Sequence, residues 1–178
     1  MEKNKKADLF ATNGILGEKI LKWWEELQKQ YNNGNRAMLR RANNAMEVAM
    51  QSGYYDFLKI IPESFRRDSL PFIAGVLSHV RFNEAVALPK AIGFPKDQPV
   101  VSDLRFRKIL RMENRDDLLY VTLLRFIKMN DNKSNILDLA RSIYFWNDKT
   151  RKKWAEEYYL GKEIEEEVEI NKEEGATA

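Results

Sequence analysis

The sequence has no cysteine and one histidine among its 178 residues. Without thiols there is no disulfide framework, no thiolate metal site and no cysteine nucleophile. A single histidine without cysteine cannot assemble the usual zinc sets. No apolar run approaches the roughly 20 residues that a membrane-spanning helix needs. The opening Met1-Glu2-Lys3-Asn4-Lys5-Lys6 lacks the apolar stretch of a signal peptide. Strand-like alternation does not persist anywhere, and neither a Walker lysine loop nor Gly-x-Gly-x-x-Gly occurs. These absences predict an all-α, cytoplasmic protein with no metal, cofactor or small-molecule substrate and no membrane contact.

The residues that remain do not assemble an enzyme either. His79 lies in the apolar run Ile73–Val80 and reads as a core or boundary histidine. Glu25-Glu26, Asp116-Asp117 and Glu156-Glu157 are adjacent on helical segments, so each pair diverges. Trp23, Trp24, Trp146, Trp154 and Tyr158 could stack on bases, but they fall on apolar stripes and are better read as core.

Helical periodicity organises the chain as a bundle of about seven or eight helices. Residues 1–13 read as a flexible leader. A first helix from Gly14 aligns Leu16, Ile20, Trp23, Trp24, Leu27 and Tyr31, and Asn32-Asn33-Gly34 stops it, with Gly34 as a left-handed cap. Asn35 then caps a second helix to Met50 that buries Met38, Ala42, Ala45, Met46 and Ala49. A short helix over Tyr54–Ile61 ends at Pro62. Ser69-Leu70-Pro71 starts an almost wholly apolar helix to Asn83, the expected centre of the core. Val86–Val101 carries Pro89, Gly93, Pro95 and Pro99 and reads as a long loop. Three more helices follow the segment from Ser102. Asn114 caps one, Ser134 caps Asn135–Trp146, and the last begins at Asn147-Asp148 and ends at Gly161. The helical domain is thus expected over residues 1–160, with a disordered acidic tail over 161–178.

Charge is distributed unevenly. The net charge is +3, yet residues 161–178 hold seven Glu and two Lys, a balance of −5; the other 28 Lys+Arg and 20 Asp+Glu leave +8 on residues 1–160. A basic body points to an anionic partner. Its cations concentrate in two stripes. In Ser102–Arg111, at roughly 100° per residue, Phe106, Ile109 and Leu110 share one side, and Arg105, Arg107, Lys108 and Arg111 fill the other. Ser102 is placed to cap this helix and Asp103 to favour its first turn. Arg36-Ala37-Met38-Leu39-Arg40-Arg41 repeats the pattern upstream. Arg36 and Arg40, like Arg107 and Arg111, are like charges at i,i+4, which destabilise an isolated helix by a few tenths of a kcal/mol. An anion between them would account for their retention. Arginines on helix faces imply contact with phosphates, not reading of bases. The competing reading is a helical adaptor whose basic face meets an acidic protein.

The order of these features resembles the CasB family, the small subunit of the type I-E CRISPR Cascade complex. The resemblance is carried by the Trp23/Trp24–Leu27 helix, Arg36-Ala-x-Leu-Arg40-Arg41, the Pro-containing loop, and Ser102-x-Leu-Arg105-Phe-Arg107-x-Ile-Leu-Arg111. Asp138-Leu-Ala, Phe145-Trp146 and Arg151-x-x-Trp154-Ala-x-x-Tyr158 complete it, over about residues 16–160. It implies an all-helical, non-catalytic subunit that sits with other Cascade subunits and a second copy of itself. Its expected partners are guide RNA and target DNA, and it would help hold the displaced strand of the R-loop. Arg36, Arg40, Arg41, Arg105, Arg107 and Arg111 are the contacts it implies, with Lys108 and Arg125 beside them.

Overall fold

Eight buried positions between Leu70 and Ser78 make helix α5 (Leu70–Ser78) the axis of the molecule. Pro71 sits in its first turn, where a missing N–H costs no hydrogen bond. Fully burying each Leu, Ile, Val or Phe side chain contributes about 1.5–3 kcal/mol, so an all-apolar helix is stable only when surrounded. The computed structural model, which describes residues 8–65, 67–94 and 97–161, surrounds it. Against it pack α2 (Asn33–Arg41), α3 (Ala45–Ala49), α4 (Ser52–Ile60), α8 (Asp117–Met129) and α9 (Ile136–Tyr144). Gly75 permits that crowding, since a Cβ there would collide with Tyr120 Oη and stand 2.6 Å from Val48 Cγ2.

The remaining helices are α1 (Gly17–Gln28), α6 (Leu88–Ile92), α7 (Asp103–Ile109) and α10 over 148–161. The described residues therefore form ten α-helices, and the all-α expectation holds with more, shorter pieces than periodicity suggests. The helix expected over 35–50 is two. Ala42 turns to extended backbone, and Asn44 caps α3 by accepting from the Glu47 backbone N–H at 2.9 Å. The break turns Met38 and Met46, expected inside, to solvent, and Leu39 and Val48 fill the core instead. Gly34 lies within α2 and has no positive φ; α1 is closed by Lys29, which turns to extended backbone and donates its N–H to Glu26 O, an oxygen that also accepts from the Asn32 side chain at 2.9 Å. Tyr31, beyond that end, is exposed.

Further along, α5 stops at Ser78, and Phe82–Asn83 pairs in parallel with Lys133–Ser134 in a two-residue bridge. The expected loop contains α6, with Pro89 in its first turn and Leu88 and Ile92 buried. Gly93 lets α10 approach, because a Cβ would collide with Tyr158 O and stand 2.8 Å from Tyr158 Cα. Asp116, not Asn114, caps α8, and Asn135, not Ser134, caps α9. In each case the acceptor lies two or three residues before the N–H it serves, which is cap geometry. Part of the expected leader is packed: Phe10 is 3% exposed against Tyr144, and Asp8 pairs with Arg141 at 2.6 Å. The expectations for residues 1–7 and for the acidic tail beyond 161 lie outside the described residues.

Candidate nucleic-acid interface

Helix α7 begins where Ser102 leaves extended backbone, although the Ser102 hydroxyl makes no cap bond. Its inward side chains fix its orientation. Phe106 and Ile109 are fully buried, and the Phe106 ring lies parallel to Tyr158 of α10 with centroids 3.7 Å apart. Tyr158 Oη donates to Val101 O at 2.6 Å and anchors the segment just before the helix. Trp154, one turn earlier on α10, donates to Ser142 Oγ at 2.9 Å and meets Trp146 edge-on. These aromatics are core, as their stripe predicts. Asp103 accepts from Tyr159 Oη at 2.5 Å and pairs with Arg107 at 2.5 Å. Burial, then that bond to the carboxylate, pushes the Tyr159 phenol up to about 12. Arg107 is thus occupied within its own helix.

Arg105 and Lys108 point away from this anchored side into a groove of about 580 Å³ between α7 and α8. Arg125, which the sequence offers as a secondary contact, joins them there, and so does Lys128, which sequence reasoning missed. Their spacing on α8 is the available signal, since residues three apart share a helix face. Met112, Leu118, Phe126 and Met129 supply the apolar lining. Cations beside apolar carbon suit a nucleic-acid strand, with guanidinium for phosphate and apolar surface for sugar or base edges.

The upstream stripe forms a second cationic group. Arg36 and Arg40 of α2 face the C-terminal end of α5, where Arg36 Nε donates to Ser78 O at 3.4 Å. His79 stands beside them, and Arg81 adds its field to Arg36. Burial, then Arg40 and Arg81, holds the Arg36 guanidinium below its ordinary value. Burial, then Arg40 and Arg36, pushes His79 down to about 4. Arg41 is exposed on the same helix, and Arg111 is exposed just past the end of α7. Sequence reasoning missed His79 and Arg81 because nothing local relates the end of α5 to α2.

The predicted contacts are less often paired than the other described cations, about half of which meet a carboxylate. Lys29, Lys59, Arg67, Arg115, Arg141, Arg151, Lys152 and Lys153 each pair with a carboxylate. Of the eight predicted contacts only Arg107 does; Arg36, Arg40, Arg41, Arg105, Lys108, Arg111 and Arg125 make no ion pair among the described residues. Distant carboxylates, which could have neutralised the stripes in the fold, do not do so there. The described residues also contain no cluster of three or more His, Cys, Asp or Glu that could hold a metal ion, and no helix long and apolar enough to cross a membrane.

No curated protein sequence matches the chain. Among solved structures it resembles a chain in the crystal structure of E. coli Cascade bound to a PAM-containing double-stranded DNA target. The TM-score is 0.64 at 18% identity, over 82% of this chain and 97% of that one, which establishes a shared fold. The sequence also matches the family of the CRISPR-associated protein Cse2 over residues 35–159, a stretch that contains both cationic groups. The chain therefore belongs to that family, the CasB small subunits of type I-E Cascade.

Proposed function

We propose that this Cascade subunit is non-catalytic and binds nucleic-acid backbones without regard to sequence, stabilising the guide RNA–target DNA heteroduplex and the displaced strand of the R-loop. In the complex it sits with the other Cascade subunits and a second copy of itself. The observation that carries this reading is the set of seven predicted contact cations without carboxylate partners among the described residues. Guided systems leave sequence to base pairing and ask the protein for a positive channel. The α7–α8 groove offers that chemistry, with Arg105, Lys108 and Arg125 as principal contacts; Arg41 on α2 and Arg111 just past α7 are further exposed contacts outside its lining, and Arg107 contributes less because Asp103 holds it.

The test is a Cascade complex assembled with the subunit carrying Arg105→Glu, Lys108→Glu and Arg125→Glu. Target-DNA affinity should fall. Its log–log salt dependence should become shallower by about 0.9 for each duplex phosphate that the protein ceases to neutralise. Unchanged affinity and slope would show that the groove is not the interface. A variant that fails to assemble, while DNA binding by the isolated chain is unchanged, would favour an acidic protein surface as the partner of this face.

A further inference from the structure

Buried polar atoms in folded proteins nearly always have hydrogen-bond partners, and each exception needs a reason. Three exceptions here belong to one group of side chains. Arg36 Nη2, Arg40 Nε and His79 Nε2 are all shielded from solvent and all unpartnered. They are close enough for the two guanidiniums to act on the imidazole, and Arg81 adds a further cation. The only hydrogen bond drawn from Arg36 to a described residue is the long one to Ser78 O.

Like charges do not gather in a partly buried place without cost. The carboxylates of the surrounding helices do not offset it. Glu47 of α3 is tied to Asn43 and Asn44, Glu26 of α1 to Lys29 and Tyr31, Asp56 of α4 to Lys59, and Asp138 of α9 to Lys153. None of them acts on Arg36 or His79; only arginines do. The cluster therefore holds unpartnered nitrogens, a positive field and no described counter-ion, which is the complement of a tetrahedral oxyanion.

We propose that the junction of α2 with the end of α5 is a recess for one backbone phosphodiester, in which His79 is a binding residue beside Arg36 and Arg40, with Arg81 at its edge. The assignment rests on the nucleic-acid reading above. The phosphate accepts from the two guanidiniums and from His79, and its negative charge favours a proton on the imidazole. Binding is thereby coupled to proton uptake by one residue. The charges that act on His79 are those of Arg40 and Arg36, with no carboxylate among them to compete for the proton.

His79 is the only histidine in the chain, so one imidazole carbon-bound proton signal in NMR reports on the recess alone. The full chain, free of any histidine tag, is titrated by pH alone, with a single-stranded DNA oligonucleotide, with an RNA oligonucleotide, and with sodium sulfate. Bound DNA or RNA should raise the His79 midpoint by about one unit or more. Affinity should then strengthen by up to about tenfold for each pH unit of acidification between the two midpoints. In the Arg36→Gln/Arg40→Gln chain the free midpoint should rise and the increment on binding should shrink. A histidine that is merely buried would keep its midpoint when nucleic acid binds. Salt-sensitive nucleic-acid binding that leaves His79 unmoved would overturn the recess and leave the functional reading intact. A response to sulfate without any nucleic-acid binding would overturn the phosphodiester assignment and the functional reading together, leaving an oxyanion site. The wild-type titrations need no variant to fold.

Discussion

The α2–α5 cluster and the α7–α8 groove are both cationic, and they hold their charge in opposite ways. Arg105, Lys108 and Arg125 are exposed over an apolar lining. Water solvates them, so keeping them unpaired costs the fold little. Arg36, Arg40 and His79 are partly or largely withdrawn from water, with donor atoms unsatisfied. Keeping them costs stability, which a bound anion would return. The first arrangement suits a strand that slides and adjusts. The second suits a single anion held in one place. What distinguishes them is not the number of charges but the solvent each charge has given up.

The largest expected effect separates the groove from the wall behind it. Phe106→Ala would leave a cavity against Tyr158, where the rings now stack. It should destabilise the protein by about 3–5 kcal/mol in chemical denaturation. A cost near zero would mean that α7 is not held from that side. The next effect compares the two sites directly. Hydrogen bonds to charged groups contribute about 1.5–3 kcal/mol when desolvated, whereas exposed charge pairs contribute at most about 1 kcal/mol. Arg36→Gln with Arg40→Gln should therefore weaken DNA binding several-fold more than Arg105→Gln with Lys108→Gln, measured by filter binding at one salt concentration. Equal losses would erase the distinction.

Much of the groove can be read from sequence because it is built locally. The 3.6-residue period alone separates Phe106 and Ile109 from Arg105, Lys108 and Arg111, and the structure keeps that division. The apolar run from Leu70 likewise identifies the central helix without knowledge of its neighbours. The recess can be read only in part. Arg36 and Arg40 are visible as an i,i+4 pair, but His79 reaches them across a long gap in sequence, through the packing of α2 on α5. His79 reads as a core or boundary residue because its neighbours are apolar; it is half-buried, and the arginines beside it are the part that sequence hides. Helix ends are hard to place for a related reason. Asn44, Asp116 and Asn135 each compete with a nearby cap-forming residue, and the backbone of the folded chain decides between them.

Acid should distinguish the two sites within the free protein. His79 has a folded value near 4 against an ordinary value of 6.5. Between those limits the unfolded chain binds a proton that the native chain refuses, so stability falls as pH drops through that window and is retained above it. The slope from this residue is at most about 1.4 kcal/mol per pH unit. His79→Gln should flatten the unfolding free energy between pH 4 and 6.5 relative to wild type, in matched urea titrations. An identical slope in the two proteins would place the histidine in an ordinary solvated setting.

The smallest expected effect is also the one with the less usual sign. Arg36 gives up water near other cations for one long hydrogen bond to Ser78 O. An apolar side chain of similar length would keep the packing of its methylenes and remove the desolvation and the repulsion. Arg36→Met should therefore stabilise the free protein, by about 1 kcal/mol, while weakening nucleic-acid binding. Arg105→Met, at an exposed position, should change stability by no more than about 0.5 kcal/mol. If Arg36→Met instead destabilises the free chain, some group within the protein already compensates the guanidinium, and the recess would not need an anion to balance it.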